Sequence, residues 1–495
     1  MNGQGAGQVR STLMPVAAVL LASLISFVFS WELAARFGVQ ALVMAVVGMV
    51  GLSVLAYVSS RDLSFSLMIW MFTMAGFRTV GMVSMPGLPD FSFDRLFLIW
   101  IMVIFAFRVV IERMRLSGPY KADFLILAHT IYVLVQLNMR DSQHVHEWVI
   151  SSLSPFFAFI YGKYVIHQAR EIRNILIFLI LVSLYFGVTA IAEHYGITQL
   201  VWPKAILNPE AGPLWHPGRS RGPVMHPPLL GQMLGMMLLC YFVFFAKARQ
   251  ALARVLVFVG FGITGLGLFY AYTRGPWVAT AAAFGALGVL RPNYRKVLMG
   301  FVVVGLLFSA LGVYQSMNSE FLQERLDTTD TIENRLMFLA TAVKMIQDYP
   351  LFGVGFFNYN HYRDDYTQGT YIPFYGFVRK HMGADMPIHD IYIGRLAEEG
   401  IVSVLLLLGF TVTVARMGLR KWRMGGVDDW FNRDVLAVFA AIMVCYHVGG
   451  MVIDYRYFDF INVIYFLVAG IIYGYRNDYY VEHESGPALA EASEG

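Results

Sequence analysis

The chain is a succession of apolar runs of about twenty residues separated by short polar joints, and twenty helical residues rise far enough to cross a bilayer core. By that length criterion the pattern predicts about fourteen transmembrane helices. Their centres fall near Leu20, Gly48, Phe72, Met102, Leu127, Phe157, Ile180, Met237, Gly260, Ala282, Leu306, Leu406, Ala441 and Leu467. The expected class is an all-α polytopic membrane protein. The spans of a β-barrel would alternate apolar and polar residues, and these runs do not. No clean small-residue cleavage site follows the first run, so it is read as a span rather than a cleaved leader.

The longest polar interval runs from Ser316 to His389. Inside it, Ile332, Leu336, Leu339, Val343 and Ile346 recur at helical spacing. They predict an amphipathic helix lying on the membrane surface or on the bundle top. Asp330 with Glu333 resembles a capping box at its start, and Pro350 ends it. Arg335 flanks the apolar stripe. The following Gly353-Val354-Gly355 lacks the strand–glycine–helix context of a phosphate loop, so it reads as a tight turn.

Composition supports the class. The sequence is 57% hydrophobic and 14% charged, whereas soluble domains carry about 25% charged residues. The formal net charge is +4, yet the basic residues sit in short joints between apolar runs and form no nucleic-acid patch. Arg61, Arg113, Arg115, Lys121, Arg170, Arg173, Lys247, Arg249, Arg254, Arg291, Arg295, Lys296, Arg416, Arg420, Lys421 and Arg423 all fall on one side if the spans alternate. The positive-inside rule makes that side cytoplasmic. The other side is external (periplasmic in a Gram-negative cell) and receives the 201–228 segment, the joint at Arg274 and the 316–389 loop.

The expected organisation is a single transmembrane bundle over 1–480, with loop 316–389 as its cap and a disordered cytoplasmic tail over 481–495. No internal repeat is visible. Cys240 and Cys445 lie inside apolar runs and read as core residues, with no disulfide framework. No HExxH occurs and Asp364-Asp365 is a lone acidic pair, so no metal site is expected.

Three external features carry candidate chemistry. Arg219 and Arg221 precede His226-Pro227-Pro228, where a span begins. Prolines suit a first helical turn, whose free N–H groups and dipole favour an anion, and arginines add a forked clamp for phosphate oxygens. The alternative is that the same arginines bind lipid headgroups at the interface. Arg274 sits in Thr273-Arg274-Gly275-Pro276-Trp277 between two runs with almost no loop. An arginine at that depth is either a ligand site or a snorkelling anchor beside an interfacial tryptophan. His389 precedes Asp390, Ile391 and Tyr392, with Glu398 and Gly400 beyond. An imidazole is largely neutral near pH 7 and suits a general base, or it is a hydrogen-bonded structural residue. His226, His361 and His381 compete for that role.

These pieces, in this order, resemble the O-antigen ligase and polymerase family, which includes the lipopolysaccharide O-antigen ligases. The likeness covers 219–408. It rests on Arg219, Gly222, His226 and Pro227; on Thr273, Arg274 and Gly275; on Arg335 followed by Asp348, Pro350, Leu351, Gly353 and Gly355; and on His389, Tyr392, Glu398 and Gly400. Asp390 stands where the family commonly has Asn, and either orients His389 or faces water. Pro228 replaces a frequent Asn.

The resemblance implies a GT-C-like, metal-independent, inverting glycosyltransferase of the cell envelope, without a cofactor. Its donor would be a glycan on undecaprenyl diphosphate, and its acceptor a glycan or lipid hydroxyl. Arg219, Arg274 and Arg221 would hold the diphosphate and His389 would activate the acceptor. Arg335, Asp390, Tyr392 and Glu398 would support them. The implied place is a bacterial inner membrane, with the site outside. Ligase and polymerase would share this donor chemistry.

Two other classes compete. A transporter of lipid-linked or small polar substrates would place ionisable groups near the bilayer midplane, where Arg78, His129, Lys163 and His447 are candidates. A scaffold or sensor would use the long loop to bind a partner, and leaves Arg274 unexplained.

Overall fold

A computed structural model describes residues 54, 56–76, 92–114, 116–209, 218–300, 303, 330–367, 371–372, 376–377 and 388–476. These residues are mostly helical. Each expected span centre among them falls within a helix; Leu20, Gly48 and Leu306 lie outside the described residues, as do the tail 481–495, Arg78 and His381. Five helical stretches are long and apolar enough to cross a membrane: Ala169–His194, Pro227–Lys247, Ala251–Tyr270, Ile391–Arg423 and Arg433–Gly450. The protein is a polytopic α-helical membrane protein.

The chain divides into two compact units. The described part of the first holds α1 (Leu63–Gly76) and α2 (Phe93–Val110), which pack together. Trp100 Nε1 donates to Ser59 Oγ at 3.0 Å, and Arg108 Nη2 donates to the Ser60 carbonyl at 2.6 Å. Leu96, Ile99 and Val103 remain exposed along α2, as apolar side chains facing lipid would.

The second unit contains the remaining helices: α3 (Lys121–Val135), α4 (Ser142–Trp148), α5 (Ser154–Tyr164), α6 (Ala169–His194), α7 (Pro227–Leu238), α8 (Tyr241–Lys247), α9 (Ala251–Tyr270), α10 (Arg274–Leu290), α11 (Asp330–Asp348), α12 (Tyr359–Thr367), α13 (Ile391–Arg423), α14 (Arg433–Gly450) and α15 (Asp459–Gly474). A π-helical turn, Val149–Leu153, joins α4 to α5. Small residues let α5 and α15 approach backbone to backbone: a Cβ at Gly162 would lie 2.5 Å from the Leu467 carbonyl oxygen. Between helices in lipid, such close packing replaces the hydrophobic drive that water would supply.

The described part of the 316–389 interval departs from an all-α expectation at one hairpin. Tyr371–Ile372 pairs antiparallel with Gly376–Phe377. The described part of the interval otherwise consists of α11, α12 and the turn between them. Helix α11 spans Asp330–Asp348, close to the predicted limits.

The two ends of this unit differ. One end pairs the basic joints with acids: Arg291 Nε with Asp434 Oδ1 at 2.7 Å and Lys163 Nζ with Asp123 Oδ2 at 2.5 Å. Lys247 Nζ also donates to the Asp429 carbonyl there. The other end gathers the segments 194–209, 218–226, 270–275, 349–359, 388–391 and 451–458, because the helices that carry them start or finish there.

Candidate active site

The site is organised by a break in α13. Gly400 has φ 75 and ψ −178, which interrupts the helix. The break frees backbone groups that cannot stay unpaired inside a membrane. The turn before α12 fills them. Val354 N–H donates to the Ala397 carbonyl and Gly355 N–H to the Glu398 carbonyl, both at 2.9 Å, and Ile401 N–H donates to the Pro350 carbonyl at 3.0 Å. The Tyr132 hydroxyl takes the Glu399 carbonyl at 2.6 Å. Gly353 and Gly400 both have positive φ, and a Cβ on either would strike the opposing backbone. The Gly-x-Gly and Glu-x-Gly motifs are thus two halves of one backbone junction.

Buried charges surround the junction. Glu398 accepts from Tyr359 N–H at 3.0 Å, from Arg456 Nη1 at 2.7 Å and from the Tyr457 hydroxyl at 2.6 Å. Arg456 also holds Asp454, with Nε to Oδ1 at 3.0 Å and Nη2 to Oδ2 at 2.8 Å. Glu399 takes Arg395 Nη1 at 2.9 Å on both oxygens and is bonded by the Ser403 hydroxyl. His129 Nε2 lies 3.5 Å from Glu399 and 3.0 Å from Ser403 Oγ. Each buried ion therefore has an opposite charge and hydrogen bonds, the condition under which burial is tolerated.

His389 leads into α13 from this block. Its φ is 60, a left-handed conformation uncommon outside glycine. The ring is half-buried, with the Phe338 ring 6.3 Å away. Burial, and then the Arg335 guanidinium, hold the imidazole below its usual 6.5, while Asp454 pulls the other way. At neutral pH the ring is the free base. Asp390 does not act on the ring by hydrogen bonding. It caps α13, accepting from Tyr392 N–H at 2.8 Å and Ile393 N–H at 2.9 Å. Burial raises its pKa, and those two N–H bonds oppose the shift. The Tyr392 hydroxyl lies 2.7 Å from His447 Nδ1, and His447 Nε2 is 3.1 Å from the Tyr465 hydroxyl.

The arginines separate into two kinds. Arg221 is fully buried, and its Nη2 donates to the Ile206 and Asn208 carbonyls at 2.5 and 2.9 Å. Its backbone N–H and that of Gly222 donate to Glu193 Oε2 at 2.8 and 2.9 Å. Arg221 thus binds its own segment. Arg219 is half-buried, and its Nε has no hydrogen-bond partner among the described residues. Arg274 is exposed at the start of α10. Thr273 occupies the N-cap position, but its hydroxyl donates to the Ala271 carbonyl at 2.9 Å, so the helix start keeps its free N–H groups.

Chain contacts tie the arginine segments to their neighbours. Ser220 N–H donates to the Tyr270 carbonyl at 3.0 Å, setting Arg219 beside the α9–α10 joint. A Cβ at Gly275 would touch Val452 and Ile453, next to Asp454. The His226 and Phe458 rings are 5.4 Å apart. The Val452–Phe458 strap therefore packs against the arginine segments, and its Asp454 acts on His389. Among the described residues no group of three His, Cys, Asp or Glu side chains is arranged to hold a metal ion.

A family model described as O-antigen ligase matches residues 259–408. Over that stretch the chain is similar to the O-antigen ligase family. No curated protein matches the chain. At the family level this supports a membrane-associated, glycosyltransferase-like activity. The O-antigen ligase segment contains Arg274, Arg335, His389, Asp390, Tyr392 and Glu398; Arg219, Arg221 and the strap lie outside it.

Sequence reasoning gave no role to Arg395, Glu399, Asp454, Arg456 and Tyr457. A signal was present for three of them: Asp454-Tyr455-Arg456-Tyr457 is a charged insert between two apolar runs, on the same side as Arg274.

Proposed function

We propose that this protein is a membrane glycosyltransferase that moves a glycan from undecaprenyl diphosphate to an acceptor hydroxyl. It works on the external face of a bacterial inner membrane, as an O-antigen ligase or polysaccharide polymerase, inverting and metal-independent. The observation that carries the reading is the half-buried His389, held below its usual pKa, with Asp454 of the 452–458 strap acting on it while Gly275, next to Arg274, packs against Val452 and Ile453 of the same strap.

In this mechanism the acceptor oxygen attacks the anomeric carbon from the face opposite the diphosphate. Its proton passes to His389 as the new C–O bond forms, a step worth about 10²–10⁴-fold. The old C–O bond breaks and its electron pair leaves on the lipid diphosphate. Arg219, whose Nε has no partner among the described residues, and Arg274, at a helix start with free N–H groups, meet that charge. Arg221 shapes the segment that presents Arg219 and makes no ligand contact. The polyprenyl chain lies along the exposed apolar helix faces.

The broken α13 would also suit a carrier, since freed carbonyls line many ion paths. Here those carbonyls already accept protein donors, and His129, Lys163 and His447 have side-chain partners. Purified protein, given lipid-diphosphate glycan and two acceptors, should elongate one of them. The His389→Ala protein should insert normally and transfer about 10²-fold more slowly or worse. Arg219→Ala and Arg274→Ala should lose activity that magnesium does not restore. Wild-type rates from His389→Ala would remove it from the mechanism.

A further inference from the structure

The strap between α14 and α15 carries one guanidinium in a central position. Arg456 is 2% exposed. It grips Asp454 through Nε and Nη2, reaches Glu398 through Nη1 at 2.7 Å and lies 3.9 Å from Glu399. Its plane rests on α13 itself: a Cβ at Gly394 would come within 2.5 Å of Nη2. Gly394 N–H donates to the Asp390 carbonyl at 3.0 Å, so this contact falls one turn beyond His389. Through Glu398 the same guanidinium is tied to Tyr359, at the start of α12. Only arginine's rigid fork of five donors serves several carboxylate oxygens at once.

The charged groups facing His389 come from two other elements: Arg335 on α11 and Asp454 on the strap. Asp390, on its own element, is occupied in capping α13. Arg456 fixes the strap member of this set and the helical turn that His389 introduces.

We propose that Arg456 is a positioning residue for glycan transfer, clamping the start of α13 to the strap so that His389 and Asp454 keep their places. The proposal rests on the transfer reading above. It makes Arg456 act through other residues, without touching donor or acceptor.

The test uses the full-length chain in nanodiscs, as wild type, Arg456→Gln, Arg456→Lys, Gly394→Ala and Asp454→Asn. Two quantities are read: steady-state transfer from undecaprenyl-diphosphate glycan, and the pH midpoint of His389 carbethoxylation by diethyl pyrocarbonate, resolved by peptide. Arg456→Gln should lower kcat by about 10²-fold, the cost of a misplaced catalytic group, with KM for the donor little changed. The His389 midpoint should rise, because Asp454 loses its counter-charge. Arg456→Lys should recover part of kcat. Asp454→Asn should lower the midpoint. An inserted Arg456→Gln protein with wild-type kcat and midpoint overturns the proposal. If that variant fails to insert, Gly394→Ala decides, since it keeps every charge while displacing the guanidinium; unchanged kcat and midpoint would again overturn it. Should wild type transfer no glycan, the functional reading fails on its own, and the labelling midpoints still report whether Arg456 sets the surroundings of His389.

Discussion

At the residue scale, His389 is distinguished by its surroundings more than by its type. Its ring is half-buried beside the positive Arg335, and both influences favour the neutral form, against a smaller opposing pull from Asp454. The sign fixes a pH prediction. With a pKa lowered from 6.5, the base form dominates at neutral pH and is lost only as pH falls through the shifted value. The kcat profile should therefore be flat from neutrality upward, with an acid limb centred below pH 6.5. Arg335→Gln should move that limb to higher pH, because a cation that disfavours imidazolium is gone. A limb centred above pH 7 would contradict this account of the environment. The same scale shows how Arg221 and Arg219, two residues apart, differ: one is fully buried with its Nη2 on two carbonyls, and the other is half-buried.

At the element scale, the feature with most consequence is the interrupted α13. A helix broken at membrane depth needs donors and acceptors from elsewhere in the protein, and the Pro350–Gly355 turn supplies them. The cap is thereby joined to the bundle through main-chain bonds. Gly400→Ala should be severely destabilising, because Cβ would strike the Leu351 carbonyl and the φ of 75 would be strained. A loss above about 3 kcal/mol is the scale for such combined defects. Gly262→Ala on α9 is the control: a Cβ there meets nothing, and alanine in a helix is favoured by about 0.5–1 kcal/mol. Thermal unfolding in one detergent compares the two. Equal melting temperatures would show that the junction is not rigid.

At the scale of the whole molecule, function depends on which end of the bundle faces out. In the proposed orientation the basic joints face the cytoplasm, as the positive-inside rule favours, and His389 faces the exterior. Single cysteines at Lys204 and Arg249, both exposed, should therefore label from opposite sides. In intact spheroplasts an impermeant maleimide should reach the cysteine replacing Lys204 and leave the one replacing Arg249 unmodified. Labelling of both, or of the Arg249 position alone, would invert the proposed geography.

The sequence by itself determined the membrane class, the helical runs, the amphipathic α11 and the turn at Gly353-Val354-Gly355, because periodicity and backbone freedom are local properties. It also marked His389, Arg219 and Arg274 as candidates through their positions at the ends of apolar runs. Only the tertiary structure decided that Gly353 meets Gly400, that Asp390 caps a helix, that Arg221 serves its own segment, and that Asp454 and Arg456 stand beside α13. Apart from the Asp390 cap, which is local, those facts depend on contacts between residues distant along the chain, such as Arg456 with Glu398, and such pair contacts leave no periodic trace along a single chain.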